Sequence, residues 1–327
     1  VRLSEGRDRL HQIGGSYYVA ECRVCGLWFQ NPRPDSRELG SLYPADYRPY
    51  CEPLPAGHLP PLRPSTARYL VRALGYPADL AAGAASRDWR SPRAFDRLRR
   101  WRLGTNLVPR YVADGRLLEV GCASGGRLVE LRRLGWKRLE GIELDPDAAA
   151  IARRQGFAVE CGRVEDALEH YADETFDVII ASMVIEHLVN PFETVRRIAS
   201  RLKAGGQFLF STVNRDSLDA SVYGTYWRNL DLPRHMVWFR KRDIHDMLAP
   251  DFEEIACFFQ AAPIDLVGSA LYRRREQKKA LDRILIGLGE SKVRYLSLVL
   301  ALAGKSSRMS VSCVRRHERG RRAGARS

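Results

Sequence analysis

Apolar runs and amphipathic stretches alternate along the middle third of the chain. Leu117-Leu118-Glu119-Val120 is a short apolar run ahead of a glycine-rich turn, which predicts a buried strand. Leu128, Leu131 and Leu134 then form one helical stripe within Arg127 to Leu134, and Gly135 stops it. Leu139 to Glu143 reads as a second strand. Asp145-Pro146 supplies an N-cap and a proline at the first helical position of an alanine-rich helix that runs to Gly156. Ala158-Val159 is a short third strand and Phe176 to Ser182 a fourth, with Val178, Ile179 and Ile180 continuously apolar. Asn190-Pro191 opens a helix carrying Phe192, Val195, Ile198 and Leu202 at helical spacing, with Gly205 as its end, and Gln207 to Ser211 is a fifth strand. Alternating strands and helices predict an α/β fold, a doubly wound sheet covered on both faces. Glu254–Phe259 and Met309–Val314 would finish the sheet, with a mainly helical insertion over 261–308.

The flanks differ. Residues 1–50 read as short strands and turns, and 51–65, with several prolines, as a linker. Residues 66–112 look helical and rich in arginine. The stretch from Arg97 through Trp101 to Leu103 is expected to be a solvated helix whose apolar stripe covers the next domain, rather than a nucleic-acid groove. The tail over 315–327 is basic and expected to be disordered. The formal charge of +14 raises acidic partners, although Lys stands at only seven positions and the arginine bias fits a GC-rich genome equally well. Seven mostly scattered cysteines do not suggest a disulfide framework and point to a reducing cytoplasm. No signal-peptide pattern opens the chain. The apolar run Tyr295–Ala303 is shorter than the roughly 18 residues a membrane span needs. It is expected to be a buried helix, with peripheral contact with an anionic membrane, at its inner face, as the alternative.

Chemistry concentrates in Glu119-Val120-Gly121-Cys122-Ala123-Ser124-Gly125. A loop after a parallel strand lies at the carboxyl edge of the sheet, where doubly wound folds bind ligands. Gly121 and Gly125 permit a tight bend and a close backbone approach. Glu143, 18 residues beyond Gly125, ends the second strand, where a carboxylate can accept both hydroxyls of a ribose; Asp145 is better placed as the helix cap. Gly121, Ala123 and Gly126 also fit a dinucleotide-binding spacing. A nicotinamide dehydrogenase, however, gives no reason for the downstream blocks.

Those blocks make the resemblance specific. LLEVGCASG (Leu117–Gly125), GIELDP (Gly141–Pro146), FDVIIASMVIEHL (Phe176–Leu188) and LKAGGQFLF (Leu202–Phe210) resemble class I S-adenosylmethionine-dependent methyltransferases in order and spacing. The resemblance implies a Rossmann-like sheet, mostly parallel with an antiparallel last strand, and S-adenosylmethionine as cofactor. Glu119, Gly121 and Gly125 would cradle the methionine end, with Ala123 where the family usually has glycine. Glu143 would hold the ribose and Leu144 pack on the adenine. Val164 and Glu165 would lie at the adenine edge, and Ser182 and Met183 near the sulfonium. Asp166 would contact the adenine amine or cap a helix.

Methyl transfer from a sulfonium is an in-line displacement, so alignment and exclusion of water matter most. A base is required only if the nucleophile must lose a proton. Candidates are Glu186, His187 and His235; His187 suits a base if its charge changes near neutral pH. The alternative is that Glu186 and His187 structure the turn. His235 belongs to Asp231-Leu232-Pro233-Arg234-His235, a Pro-Arg-His run like those of related small-molecule enzymes. Asp231, Arg234 and His235 either orient a polar substrate or brace the loop.

Cys22-Arg23-Val24-Cys25 resembles one knuckle of a zinc ribbon, but tetrahedral zinc needs four ligands. A subset of methyltransferases carries such a ribbon, then an Asn-Pro-Arg-Pro-like turn and tyrosines, matched here by Asn31–Pro34, Tyr43 and Tyr47. The expectation is a second knuckle upstream of Val1; completion by His11, Cys51 or His58, and two ordinary free cysteines, are the alternatives. An incomplete ribbon would leave the first fifty residues loose. The expected activity is methylation of a small molecule (a sugar, a glycan or lipid-linked intermediate, or a secondary metabolite), chiefly on oxygen. RNA or protein methylation and a non-catalytic binding role are the alternatives. Ala181-Ser182-Met183-Val184 is not the tetrad of amino-methylating nucleic-acid enzymes, which argues against nucleic acid as the partner.

Overall fold

A computed structural model describes residues 2–35, 39–43, 59–81 and 107–317. Three short strands come first: β1 (Arg2–Gly6), β2 (Tyr17–Glu21) and β3 (Trp28–Gln30). Helix α1 (Pro64–Leu74) follows. The alternating region comprises β4 (Arg116–Val120), α2 (Gly126–Arg133), β5 (Arg138–Glu143), α3 (Pro146–Arg154), β6 (Ala158–Cys161), α4 (Val164–Ala167), β7 (Phe176–Ser182), α5 (Pro191–Arg201) and β8 (Leu202–Val213). Beyond it lie α6 (Leu218–Tyr223), β9 (Val237–Trp238), α7 (Lys241–Leu248), β10 (Phe252–Gln260), α8 (Pro263–Arg274), α9 (Ala280–Leu302), which is broken by a kink at Gly289, and β11 (Arg308–Arg315).

The main sheet has seven strands in the order β10-β11-β8-β7-β4-β5-β6. β4, β5, β6, β7 and β8 pair in parallel, and β11 runs antiparallel to both β8 and β10. This is the Rossmann-like arrangement expected, antiparallel last strand included. The central strands are apolar throughout because both faces are covered. Leu118, Ile179, Phe208 and Phe210 face one layer; Leu117, Val178, Ile180 and Leu209 face the other. Tyr69, Leu70 and Leu74 of α1 join the second layer, so this helix packs on the sheet. The arginine-rich 97–103 and most of the tail lie outside the described residues. Strand order reverses between β4 and β7, which opens a crevice at the carboxyl ends of these strands.

Three expectations need correcting. First, α5 ends at Arg201, and Leu202 is already extended (φ −80°, ψ 142°). Gly205, at φ +76°, sits instead where the β7–β8 register slips, so it bends a strand rather than ending a helix. Second, the N-terminal strands are not loosely attached. β1, β2 and β3 form an antiparallel sheet with β9, through Trp28 opposite Trp238 and Phe29 opposite Val237. Val19, Trp227, Trp238 and Leu266 share one buried cluster, so this sheet is packed into the body by apolar contact. Third, Tyr295–Ala303 is buried on one side only: Leu300 and Ala301 face inward, while Tyr295, Val299 and Leu302 are 71%, 60% and 67% exposed.

Candidate active site

The glycine-rich loop leaves β4 by hanging on its neighbour. The amides of Gly121 and Cys122 both donate to the Ile142 carbonyl, at 2.8 and 3.0 Å. Gly121 is at φ +69°, and a Cβ there would stand 2.5 Å from a Val184 methyl. That close approach, from the turn after β7, demands glycine. Ala123 adopts φ +48° with a side chain in place, a conformation L-residues enter at a cost. Cys122 is buried, and burial raises its thiol pKa, which makes it the packing residue expected.

Glu143 joins two loops. One oxygen accepts the Ala123 amide at 2.7 Å and the other the Asp145 amide at 2.9 Å. The carboxylate is almost fully buried, which raises its pKa, and these amides oppose the shift. A carboxylate has about four acceptor positions, so two remain for hydroxyls of a ligand. Asp145 caps α3 as expected, accepting the Ala148 amide at 2.8 Å. Glu119 has one oxygen 3.3 Å from Arg127 Nε. Its other oxygen, Oε2, is buried with no hydrogen-bond partner. Burial, together with the nearby Glu130 and Glu143 and despite Arg127, pushes its pKa up to about 8.

An open cavity lies at the crevice. Gly121, Ala123, Glu143 and Leu144 form one wall; Val164 and Glu165 form another, and Ser182 and Met183 close the end. Glu119 and Gly125 sit behind this lining rather than in it. Asp166 is absent from the lining and does not cap α4, whose N-cap is Arg163. The residues fit an adenosyl amino acid: Glu143 retains acceptor capacity at the end of β5, and the orphaned Glu119 oxygen requires a hydrogen-bond partner.

On the acceptor side, His187 lines the cavity while Glu186 and His235 lie buried behind it. His187 Nδ1 is 2.9 Å from the Tyr43 hydroxyl and 3.1 Å from the Arg234 carbonyl. Burial, reinforced by His235, lowers its pKa to about 3. It is therefore a neutral imidazole at physiological pH, and its charge change does not fall near neutrality as expected of a base. His235 is likewise lowered by burial, and Glu186, with no exposed surface, is raised to about 7 by burial.

Arg234 is not available to a substrate. Its guanidinium donates to both Asp8 oxygens at 3.0 Å, to Asp231 Oδ1 at 2.6 Å and to the Leu42 carbonyl at 3.3 Å, with no exposed side-chain surface. Of the two roles open to it, bracing the loop is the one the geometry supports. Asp8, Leu39 and Tyr43 escaped sequence reasoning as site residues. Only a tyrosine in a familiar N-terminal pattern hinted at Tyr43, and no local signal links Asp8 to Arg234, 226 positions away.

Cys22 and Cys25 lie in the turn between β2 and β3, where the Gly26 amide donates to the Cys22 carbonyl at 2.8 Å. Amides of Cys25 and Val24 lower the Cys22 thiol to about 7. Among the described residues they belong to no set of three or more metal-ligating side chains, His11 included. Cys51 and His58 lie outside the described residues, as does Tyr47. Arg240 and Arg242 instead donate to the Cys25 carbonyl at 2.5 and 2.6 Å.

A family profile described as "Methyltransferase domain" matches residues 89–250. The ubiquinone biosynthesis O-methyltransferase of Albidiferax ferrireducens is 30% identical over 194 residues, 57% of this chain and 72% of that protein. The enzyme of the same name from Pseudomonas syringae pv. tomato is 34% identical over 139 residues, 40% of this chain and 59% of that protein. A solved S-adenosylmethionine-dependent methyltransferase from Archaeoglobus fulgidus superposes with a TM-score of 0.45 and 16% identity, covering 69% of this chain and 95% of that one. With the glycine bend, the acid at the end of β5 and the sheet order in place, the chain belongs to the class I S-adenosylmethionine-dependent methyltransferases.

Proposed function

We propose that the protein transfers the methyl group of S-adenosylmethionine to an oxygen of a small-molecule acceptor. Glu143 receives the ribose hydroxyls and Leu144 the adenine, with Val164 and Glu165 at the adenine edge. Glu119 serves the methionine end from behind Gly121. Ser182 and Met183 border the sulfonium. When bound, the cofactor supplies an activated methyl; the chain's residues align the acceptor and exclude water. The observation that carries this reading is the cavity bounded at once by the Gly121–Ala123 bend, Glu143 and His187. Relatives named O-methyltransferases support oxygen as the acceptor atom. Incubation with methyl-labelled cofactor and pools of hydroxylated metabolites tests it. Label should appear in alkali-stable ether products, and transfer only to nitrogen or to macromolecules would overturn it.

The same reading includes peripheral contact with an anionic membrane. Among the described residues, eleven of the thirteen exposed large apolar side chains belong to α6, α8 and α9. Leu281, Ile284 and Leu288, then Tyr295, Val299 and Leu302, recur at helical spacing. Lys278, Lys279, Arg283, Lys292 and Arg294 flank them. An apolar stripe edged with cations suits an anionic interface. No helix among the described residues is long and apolar enough to cross a membrane. A third element of the proposal is that Cys22 and Cys25 are half of a structural zinc site whose other ligands lie outside the described residues.

A further inference from the structure

Glu186, His187 and His235 present an arrangement that acceptor positioning alone does not explain. One ligand atom from each lies within 4.8 Å of the others. The two imidazoles meet edge to face with centroids 4.6 Å apart. Glu186 has no exposed surface; the Thr212 hydroxyl is near enough to lower its pKa, but neither carboxylate oxygen completes a hydrogen bond of good geometry. An unpaired buried carboxylate is among the costliest groups a protein can hold, and it persists where something else satisfies it.

The imidazoles are oriented for coordination. His235 Nδ1 lies 2.9 Å from the Asn229 carbonyl, and His187 Nδ1 3.1 Å from the Arg234 carbonyl. A carbonyl only accepts, so His235 Nδ1 carries the proton and its Nε2 keeps its lone pair; the Tyr43 hydroxyl, 2.9 Å from His187 Nδ1, can accept as well as donate, so the same tautomer of His187 serves both of its contacts. Locking the tautomer through a carbonyl is how proteins prepare a metal-binding histidine. The Trp238 indole N–H donates to the same Asn229 carbonyl at 3.0 Å and steadies it. Asp231 Oδ2 stands 3.7 Å from His235 Nε2, adding a second carboxylate at the rim. The nearby Arg234 charge is already balanced by Asp8 and Asp231.

We propose that these three residues bind one divalent cation of the Mn²⁺, Co²⁺ or Zn²⁺ type beside the methyl-transfer cavity. Two imidazoles and one carboxylate suit borderline first-row metals better than Mg²⁺ or Ca²⁺, which favour all-oxygen shells. Ligand distances of about 2.0–2.2 Å require the donors to draw closer together than they now stand. Three protein ligands leave at least one position open, and His187 lines the cavity that an acceptor would occupy. The cation would take an acceptor oxygen there and fix it toward the methyl group. That last step rests on the proposed O-methylation; cation binding does not.

The test is a Co²⁺ titration of the EDTA-treated full chain carrying Cys22→Ser and Cys25→Ser, which removes the Cys-x-x-Cys pair, with no methyl donor present. One equivalent of saturable binding with visible ligand-field bands is expected. Glu186→Gln and His235→Ala should each weaken it at least tenfold, and His170→Ala, on the surface, should not. Mn²⁺ added to the folded chain should broaden the His187 and His235 imidazole resonances selectively, which locates the ion without any variant. Absence of saturable binding, or binding that leaves those resonances and both variants unaffected, overturns the site. Binding without methyl transfer to any hydroxyl would retain the site and remove only its proposed use.

Discussion

At the scale of the residue, the glycine-rich loop stores a small strain. Ala123 holds a left-handed conformation with a Cβ, which costs about 1–2 kcal/mol relative to glycine. Ala123→Gly should therefore raise the thermal midpoint by about 2 °C or more and leave cofactor binding intact, as calorimetric scanning would show. Glu119 makes a sharper case. Its pKa is raised from 4.5 to about 8, so the folded state holds this proton more tightly than the unfolded chain. The resulting stabilisation is complete below the unfolded value near 4.5 and is lost as pH rises through about 8. Glu119→Gln should remove that component. The cofactor-free wild type should lose more of its midpoint between pH 5 and 8 than the variant does. Parallel curves for the two proteins would contradict the assignment. The loop's glycines and Glu143 stand out by spacing, whereas the role of Glu119 comes from the family resemblance. What spacing could not convey is that Glu119 stands outside the cavity lining, because that depends on how Val184 packs on Gly121 and Arg127 on Glu119.

At the scale of the element, the Asp231–His235 loop is held by the N-terminal segment. Asp8, beyond β1, binds Arg234 and also accepts the amides of Leu10, His11 and Ile13. One carboxylate therefore organises both its own turn and the acceptor-side loop. Asp8→Ala leaves a buried guanidinium with Asp231 as its only carboxylate partner, a loss of about 3 kcal/mol. Urea unfolding should show that loss, with methyl transfer reduced more than cofactor affinity. Equal losses in the two would argue against a role confined to the acceptor side. The elements of the main sheet followed their sequence patterns closely, because a strand buried on both faces has to be continuously apolar. The pairing of β3 with β9 had no such signature. Two short strands some 200 residues apart announce neither their partner nor their register, and so the N-terminal segment read as a separate module.

At the scale of the whole molecule, one side carries the cavity, and the helices of the late insertion carry the exposed apolar stripes. The sequence pattern of Tyr295–Ala303 was read as burial, but apolarity alone does not tell which neighbour covers a helix. Flotation with vesicles rich in phosphatidylglycerol should recover the protein at low salt and release it as salt rises, since attraction between basic residues and anionic lipid is screened. Replacing Tyr295, Val299 and Leu302 by serine should abolish recovery. Unchanged flotation of that variant would contradict contact through α9.

The central claim is that the crevice holds an adenosyl amino acid between the glycine bend and Glu143. Isothermal titration with S-adenosylhomocysteine tests it most directly. The wild type should bind one equivalent. Glu143→Ala should bind at least tenfold more weakly, while Glu169→Ala, whose carboxylate pairs with Arg197 on the surface, should bind as the wild type does. No binding heat with the wild type, or equal affinity for the wild type and Glu143→Ala, would contradict the account.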